Sequence, residues 1–122
     1  IMDNDGTWTM MFNKNMIKKY ELEDPYMLVR NGKWTITKFQ EMMKGITKDL
    51  NGDGTLDYLD QYGFATTLDT VYGLFYSCGL NIINKDADDL PEYKLMENPN
   101  TLEVLTQISN IIRSNNYTLL AS

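Results

Sequence analysis

Apolar residues recur at helical spacing in three stretches of the chain, and this periodicity predicts three amphipathic helices. The first is predicted at residues 36–47, the second at residues 68–78 and the third at residues 99–114. In that order, the positions that carry the three patterns are Ile36, Phe39, Met43 and Ile46; Leu68, Val71, Tyr72 and Phe75; and Leu102, Leu105, Ile108 and Ile112.

Residue types that favour helix ends stand at the borders of these stretches. Thr35 precedes the first helix as an N-cap, and Gly79 follows the second as the C′ residue that ends it. Asn98 followed by Pro99 predicts an N-cap and a proline at the first helical position of the third helix. Asn13 is the predicted N-cap of a further short helix that runs to about residue 20.

Three other stretches indicate extended structure or turns. Residues 7–12 alternate, with Trp8, Met10 and Phe12 on one face, which predicts a half-buried strand after a turn at residues 3–6. A strand is predicted to start in residues 61–64, and residues 80–83 form a short apolar run that is strand or extended. Together with the helices, these elements predict a helix-rich α/β fold.

The chain between the first helix and residue 61 has the form of a calcium-binding loop. Calcium prefers six to eight oxygen ligands, which a twelve-residue loop supplies from alternating positions around a sharp turn at its sixth residue. Gly54 stands at that sixth position, and the aliphatic Leu56 at the eighth is predicted to hold the loop to the core. The predicted calcium ligands are Asp49, Asn51, Asp53, the Thr55 carbonyl, Asp57 (directly or through a water) and Asp60.

The charge of this loop favours a metal over the alternative interpretation, an Asx-rich turn without one. The loop holds four carboxylates and no lysine or arginine. Two such charges about 4 Å apart repel by ~1 kcal/mol in water and ~4 kcal/mol at a surface-like dielectric, and a divalent cation reverses that repulsion. The all-oxygen ligand set excludes a preference for zinc.

Composition excludes several classes of function. The net charge of −6 disfavours nucleic acids and anionic membrane surfaces as partners. The absence of histidine excludes histidine-based catalysis, and a single cysteine, Cys78, excludes an internal disulfide. The remaining carboxylates, such as Glu41, Glu92 and Glu103, fall on predicted solvent faces, so we predict that the protein is not an enzyme.

The 122 residues suffice for a single domain with its own core, yet the sequence has no signal peptide and no transmembrane run. It begins at Ile1 directly in sequence that predicts folded structure. We therefore expect an excised piece of a longer protein, whose own location these residues do not reveal.

Five segments, in this order, resemble the extracellular solute-binding proteins of family 1, the sugar-binding receptors of bacterial ABC importers. The resemblance covers essentially residues 7–114. The five segments are Met11-Phe12-Asn13-Lys14, Asp24-Pro25-Tyr26, Gly32-Lys33-Trp34-Thr35, Thr47-Lys48-Asp49-Leu50-Asn51-Gly52-Asp53-Gly54 and Asp60-Gln61-Tyr62-Gly63-Phe64. Relative to the shortest family version, the chain carries Tyr58-Leu59-Asp60 before Gln61, which completes the twelve-residue loop.

The resemblance implies a two-lobed, periplasmic-binding-protein-like fold of type II that closes on a sugar. Residues 1–122 would then be one domain, a partial carboxy-terminal-type lobe, and the loop a structural calcium site. The implied partners are an oligosaccharide and an ABC transporter permease. The implied location is the cell surface or periplasm, with membrane association only through a lipid anchor outside this chain. Family sugar sites use aromatic rings, which points to Tyr72, Phe75 and Tyr76, although aromatic residues at helical spacing are more often core.

Two alternatives keep calcium but change the role. Dockerin-like modules also use Asp at the twelfth loop position, but they need two such loops, and only one is present. EF-hand sensors flank each loop with two helices, and Gly63 interrupts any helix that would leave this one. Because such modules bind calcium through the same kind of loop, a dockerin-like or EF-hand-like interaction module is kept as the alternative prediction.

Overall fold

The computed structural model describes residues 7–114 and 116–121, and it divides the chain into two compact units, Ile1–Trp34 and Thr35–Ser122. The turn predicted at residues 3–6 lies outside the described residues. The division does not test the prediction of a single domain, which stays a prediction. No helix in the described part of the chain is both long and apolar enough to cross a membrane.

The first unit contains two short helices, α1 (Lys14–Lys19) and α2 (Pro25–Arg30). The Asn13 side chain accepts hydrogen bonds from the N–H groups of Asn15 and Met16, which confirms it as the N-cap of α1. Asp24 caps α2 in the same way, and Pro25 occupies the first turn, where its missing N–H costs nothing.

The strand predicted over residues 7–12 is wrong, because residues 7–13 form no regular secondary structure. Trp8 and Met10 are exposed rather than buried on one face. Alternation alone does not make a strand: its backbone groups need a partner strand, and none pairs with this segment among the described residues.

The second unit begins with α3 (Ile36–Ile46), which leads into the calcium-type loop and then into β1 (Phe64–Thr66). The Thr35 hydroxyl accepts a hydrogen bond from the N–H of Lys38, so the predicted N-cap is confirmed. Phe39, Met42 and Met43 form the buried face of α3. The ring of Phe39 meets that of Phe64 edge to face with centroids 5.0 Å apart, which fixes the start of β1 against the helix.

Helix α4 (Thr70–Ser77) follows β1 and ends where predicted. Cys78 is its C-cap residue, and Gly79 follows as the C′ residue at φ +78°. A hairpin comes next, formed by β2 (Ile83–Lys85) and β3 (Pro91–Tyr93), which pair antiparallel. The Asp86 carboxylate closes its turn by accepting from the N–H groups of Asp88 and Leu90. The buried Leu80 stands between α4 and the hairpin.

A 3-10 helix at Leu95–Glu97 precedes α5 (Thr101–Ile112), which starts later than predicted. The Asn98 side chain accepts from the N–H of Asn100 and so shapes the turn before the helix rather than capping it. Strand β4 (Thr118–Leu120), which no sequence pattern predicts, then pairs in parallel with β1, Ala65 opposite Leu119. The result is a small mixed helix and strand fold, consistent with the α/β class in general.

The core of the second unit lies where α3, α4, α5 and the two parallel strands supply apolar side chains. Its fully or nearly buried members are Phe39, Met42, Met43, Leu74, Phe75, Leu80, Ile108, Ile111, Ile112 and Tyr117. Two polar residues join them with their hydroxyls satisfied: Thr101 donates to the Leu95 carbonyl and Thr118 to the Ile111 carbonyl.

Candidate calcium loop and aromatic face

Residues 49–60 form a loop whose two ends are joined by the protein backbone. Lys48 and Gln61 form an antiparallel bridge, with hydrogen bonds of 2.8 and 3.0 Å between their N–H and carbonyl groups. The Gln61 side-chain amide also donates to the Ile46 carbonyl at the end of α3. The loop is therefore closed at its base by its own chain.

The turn at the sixth loop position has the conformation that the sequence predicts. Gly54 lies at φ +81°, and Gly52 at φ +74°, in the left-handed region that glycine enters at no cost. The Asp49 carboxylate bridges the two, with one oxygen 2.6 Å from the Gly52 nitrogen and the other 2.9 Å from the Gly54 nitrogen. Asp49 thus holds the turn in shape.

The middle positions are linked by short-range hydrogen bonds of the same kind. The Asn51 carbonyl oxygen of the side chain accepts from the Asp53 N–H at 3.0 Å, and its amide donates to an Asp53 oxygen at 2.9 Å. The other Asp53 oxygen accepts from the Thr55 N–H at 2.8 Å. These Asx turns direct the side chains of alternate residues toward their own loop backbone.

Asp60, at the twelfth position, ties the end of the loop back to its beginning. One of its carboxylate oxygens accepts from the Leu50 N–H at 2.8 Å and the other from the Asp57 N–H at 2.9 Å. These backbone donors, that of Asp57 first, lower the pKa of Asp60 below its ordinary value of 3.8. An aspartate at the twelfth position is thus long enough to join the two ends of the loop.

Tyr62 lies just beyond the loop, and burial raises the pKa of its phenol, with the charges of Asp60 and Asp57 adding to the effect. The negative field of the loop therefore extends to the start of β1. A cation held in the loop would act against that field.

The predicted ligands fit calcium by their chemistry and by the turn at Gly54, but they do not converge in this structure. Among residues 7–114 and 116–121, no three Asp, Glu, Cys or His side chains lie close enough together to hold one ion. The loop carboxylates accept hydrogen bonds from loop donors instead, and each carboxylate oxygen keeps a further lone pair. Binding would therefore require the side chains to turn inward while the base of the loop stays closed.

A strand, rather than a second helix, comes after the loop. An EF-hand requires a helix at this point, but Gln61 lies in the bridge and the chain continues into β1 after Gly63. Helix–loop–strand is the arrangement observed. This observation removes support from the EF-hand form of the alternative prediction.

The three predicted sugar-contacting aromatic residues are divided between surface and core. Tyr72 and Tyr76 lie four residues apart on α4 and are 56 % and 51 % exposed. Phe75 is only 5 % exposed, so it is a core residue and presents no ring to solvent. Its ring meets that of Tyr76 edge to face at 5.2 Å, which fixes the orientation of the Tyr76 ring.

Comparisons of the chain with family models, with curated proteins and with solved structures return no match.

Proposed function

We propose that residues 49–60 bind one structural calcium ion. The observation that supports this most directly is the loop itself: it is closed at its base by the Lys48–Gln61 bridge and turned at Gly54, with hard oxygen donors at alternate positions. The residues that would hold the ion are Asp49, Asn51, Asp53, the Thr55 carbonyl, Asp57 and Asp60. When bound, the ion supplies a double positive charge among four carboxylates, so it stabilises the loop rather than taking part in a reaction.

Calorimetric titration with calcium tests this proposal directly. The wild-type chain should bind one ion at ~10⁻⁴ to 10⁻³ M or somewhat more tightly, the range of extracellular calcium modules. Asp53→Ala should remove most of that binding. Asp88→Asn is the control, because Asp88 is an exposed acidic residue in the hairpin turn, outside the loop. No heat with the wild type, or equal loss in both variants, would refute a site in this loop.

We further propose that the chain belongs to the substrate-capture component of a carbohydrate importer and contributes one wall of a sugar site. Support comes from the five resembling segments and from the exposed rings of Tyr72 and Tyr76 on one side of α4. Aromatic rings bind the apolar faces of pyranoses, and two rings at this spacing offer adjacent stacking surfaces. The permease partner and the extracellular location follow from the same resemblance.

An amide-resolved titration of the chain with plant and host oligosaccharides tests the sugar proposal. One wall of a two-walled site must offset the lost translational freedom of the ligand with few contacts, so we expect binding at millimolar strength or weaker. Shifts should concentrate on α4 and disappear in the double variant Tyr72→Ala, Tyr76→Ala. Tyr93→Ala, an equally exposed tyrosine on β3, is the control. Shifts away from α4 would contradict the proposal, and micromolar binding would mean a complete module rather than half of one.

A further inference from the structure

A second, separate feature of this unit is a cleft between the end of α3 and the turn after α5. It encloses about 430 Å³, within the size range of small-molecule pockets. Lys44, Thr47 and Lys48 line one side, and Asn116 and Tyr117 line the other. The cleft is distinct from the aromatic face of α4.

Two lysines of this cleft carry charges that the described chain does not neutralise. Ion pairs in the described residues join Lys38 to Glu41, Lys85 to Asp89 and Lys94 to Glu92. Lys44 and Lys48 make no ion pair there, although acidic residues outnumber basic ones by 17 to 11 in this chain. Both line the cleft at the C-terminal end of α3, so their positive charges add at this place.

The one carboxylate at the cleft is directed elsewhere. Asp49 belongs to the lining, but both of its oxygens accept hydrogen bonds from the glycine N–H groups of the calcium-type loop. Thr47 is likewise engaged, because its hydroxyl donates to the Met43 carbonyl and accepts from the Gly63 N–H. The Asp49 charge remains at the cleft, but its oxygens are held toward the loop and the two lysine charges exceed it, so the lysines and Asn116 are the groups that favour an anionic ligand.

The rest of the cleft lining includes the apolar side chain of Leu56 and the ring of Tyr117, which a hydrogen bond holds in place. Leu56, the eighth residue of the loop, lines the cleft, and the Lys44 ammonium lies 5.7 Å from the centroid of the Tyr117 ring. Tyr117 is buried, and its hydroxyl donates to the Asn110 carbonyl, so the ring cannot turn away. A cation–π contact of this kind holds the lysine over the cleft.

We propose that this cleft binds a small anionic ligand, its carboxylate or phosphate group held between Lys44 and Lys48 and its body against Leu56. The two ammonium groups provide the charge, and Asn116 provides a hydrogen-bonding amide. The ligand needs no metal, so this proposal stands apart from calcium binding by residues 49–60.

The test is an amide-resolved titration in the presence of a chelator, which makes the result independent of calcium. The probes are inorganic phosphate, galacturonate and the neutral sugar galactose, which shares the ring of galacturonate without its charge. Phosphate, galacturonate or both should shift the amides of residues 44–48, 56 and 116–118, and galactose should not. Their relative strength distinguishes a phosphate ligand from a carboxylate ligand.

The double variant Lys44→Gln, Lys48→Gln should weaken anion binding at least tenfold, while Lys85→Gln, which changes an ion-paired lysine in the hairpin, should leave it unchanged. Far-ultraviolet circular dichroism of each variant monitors the fold. The proposal is overturned if neither anion shifts these amides, if galactose shifts them equally, or if the lysine variants bind as tightly as the wild type.

Discussion

Gly63 lies where the chain entering β1 passes directly against the backbone of α3, which leaves no room for a side chain. A Cβ at residue 63 would lie 2.5 Å from the Met43 Cα and 2.6 Å from its carbonyl carbon, and closer still to the carbonyl oxygen. Carbon atoms in contact prefer about 3.5–4.0 Å, so the strand or the helix would have to move by roughly 1 Å. Met43 is 1 % exposed and packed on all sides, which leaves no free direction for that movement.

We therefore predict that Gly63→Ala destabilises the protein severely. Overpacking a core side chain costs about 1–3 kcal/mol, and here the obstacle is backbone, so the cost should be roughly 3 kcal/mol or more. That is a large fraction of the ~5–15 kcal/mol by which small domains are stable. Urea unfolding followed by circular dichroism measures it, with the slope of the transition reporting whether the variant still unfolds in one step.

Gly45→Ala is the matched control, since Gly45 lies on the same helix as Met43 and a Cβ there meets nothing within 4 Å. Alanine in place of a helical glycine should stabilise the protein by about 0.5–1 kcal/mol. The two variants add the same methyl group and should change stability in opposite directions. If Gly63→Ala unfolds at the wild-type urea concentration, or if both variants are destabilised alike, a steric clash with the Met43 backbone does not determine stability at this position.

Three further predictions concern the same region. Thr47→Val keeps the shape but leaves the Gly63 N–H without its partner, so unfolding free energy should fall by about 1–3 kcal/mol in the same urea assay. Backbone donors lower the pKa of Asp60 in the folded state, so this carboxylate stabilises the fold above its unfolded-state pKa, and the stabilisation is lost as the pH falls through the lower, folded-state pKa. Asp60→Asn should therefore lower the free energy of unfolding at pH 7 and have little effect in acid. A difference between the two proteins that does not depend on pH would contradict this assignment. At a free calcium concentration 100-fold above the dissociation constant, binding should add ~2.7 kcal/mol to the free energy of unfolding. A chelator should therefore lower the melting temperature without increasing the binding of a hydrophobic dye. A melting curve that the chelator does not move would argue against a bound ion.

Local chemistry accounts for the elements that were predicted correctly. The caps at Asn13, Thr35 and Gly79 depend on a few neighbouring atoms, so residue type alone carries the information. The same holds for the turn at Gly54. Helix α2 was not predicted, although Asp24 followed by Pro25 is a residue pair that favours a helix start.

Pairing between distant segments accounts for what was missed. Strand β4 is three residues long, and it exists because α5 returns the chain beside β1, which no pattern within residues 118–120 indicates. The strand wrongly predicted over residues 7–12 is the opposite case, since its alternation had no partner to pair with among the described residues. Phe75 shows the same limit for the site: periodicity placed it on the apolar helix face, but only packing separates it from the exposed Tyr72 and Tyr76.

The turn of the calcium-type loop at Gly54 follows from local residue type, whereas the closure of its base requires pairing between Lys48 and Gln61. This closure limits what a metal can do in the loop. Protein groups fix its ends to α3: the Lys48–Gln61 bridge, the Gln61 side chain on the Ile46 carbonyl and the Gly63 N–H on Thr47. An ion can therefore order the interior of the loop but has little to add at its base. A switch would need the opposite design, with ends that separate when the metal leaves. The anchoring of the loop thus favours a stabilising ion over a signalling one. The close approach of Gly63 to the Met43 backbone fixes β1 against α3, so we expect calcium to leave the position of β1 unchanged.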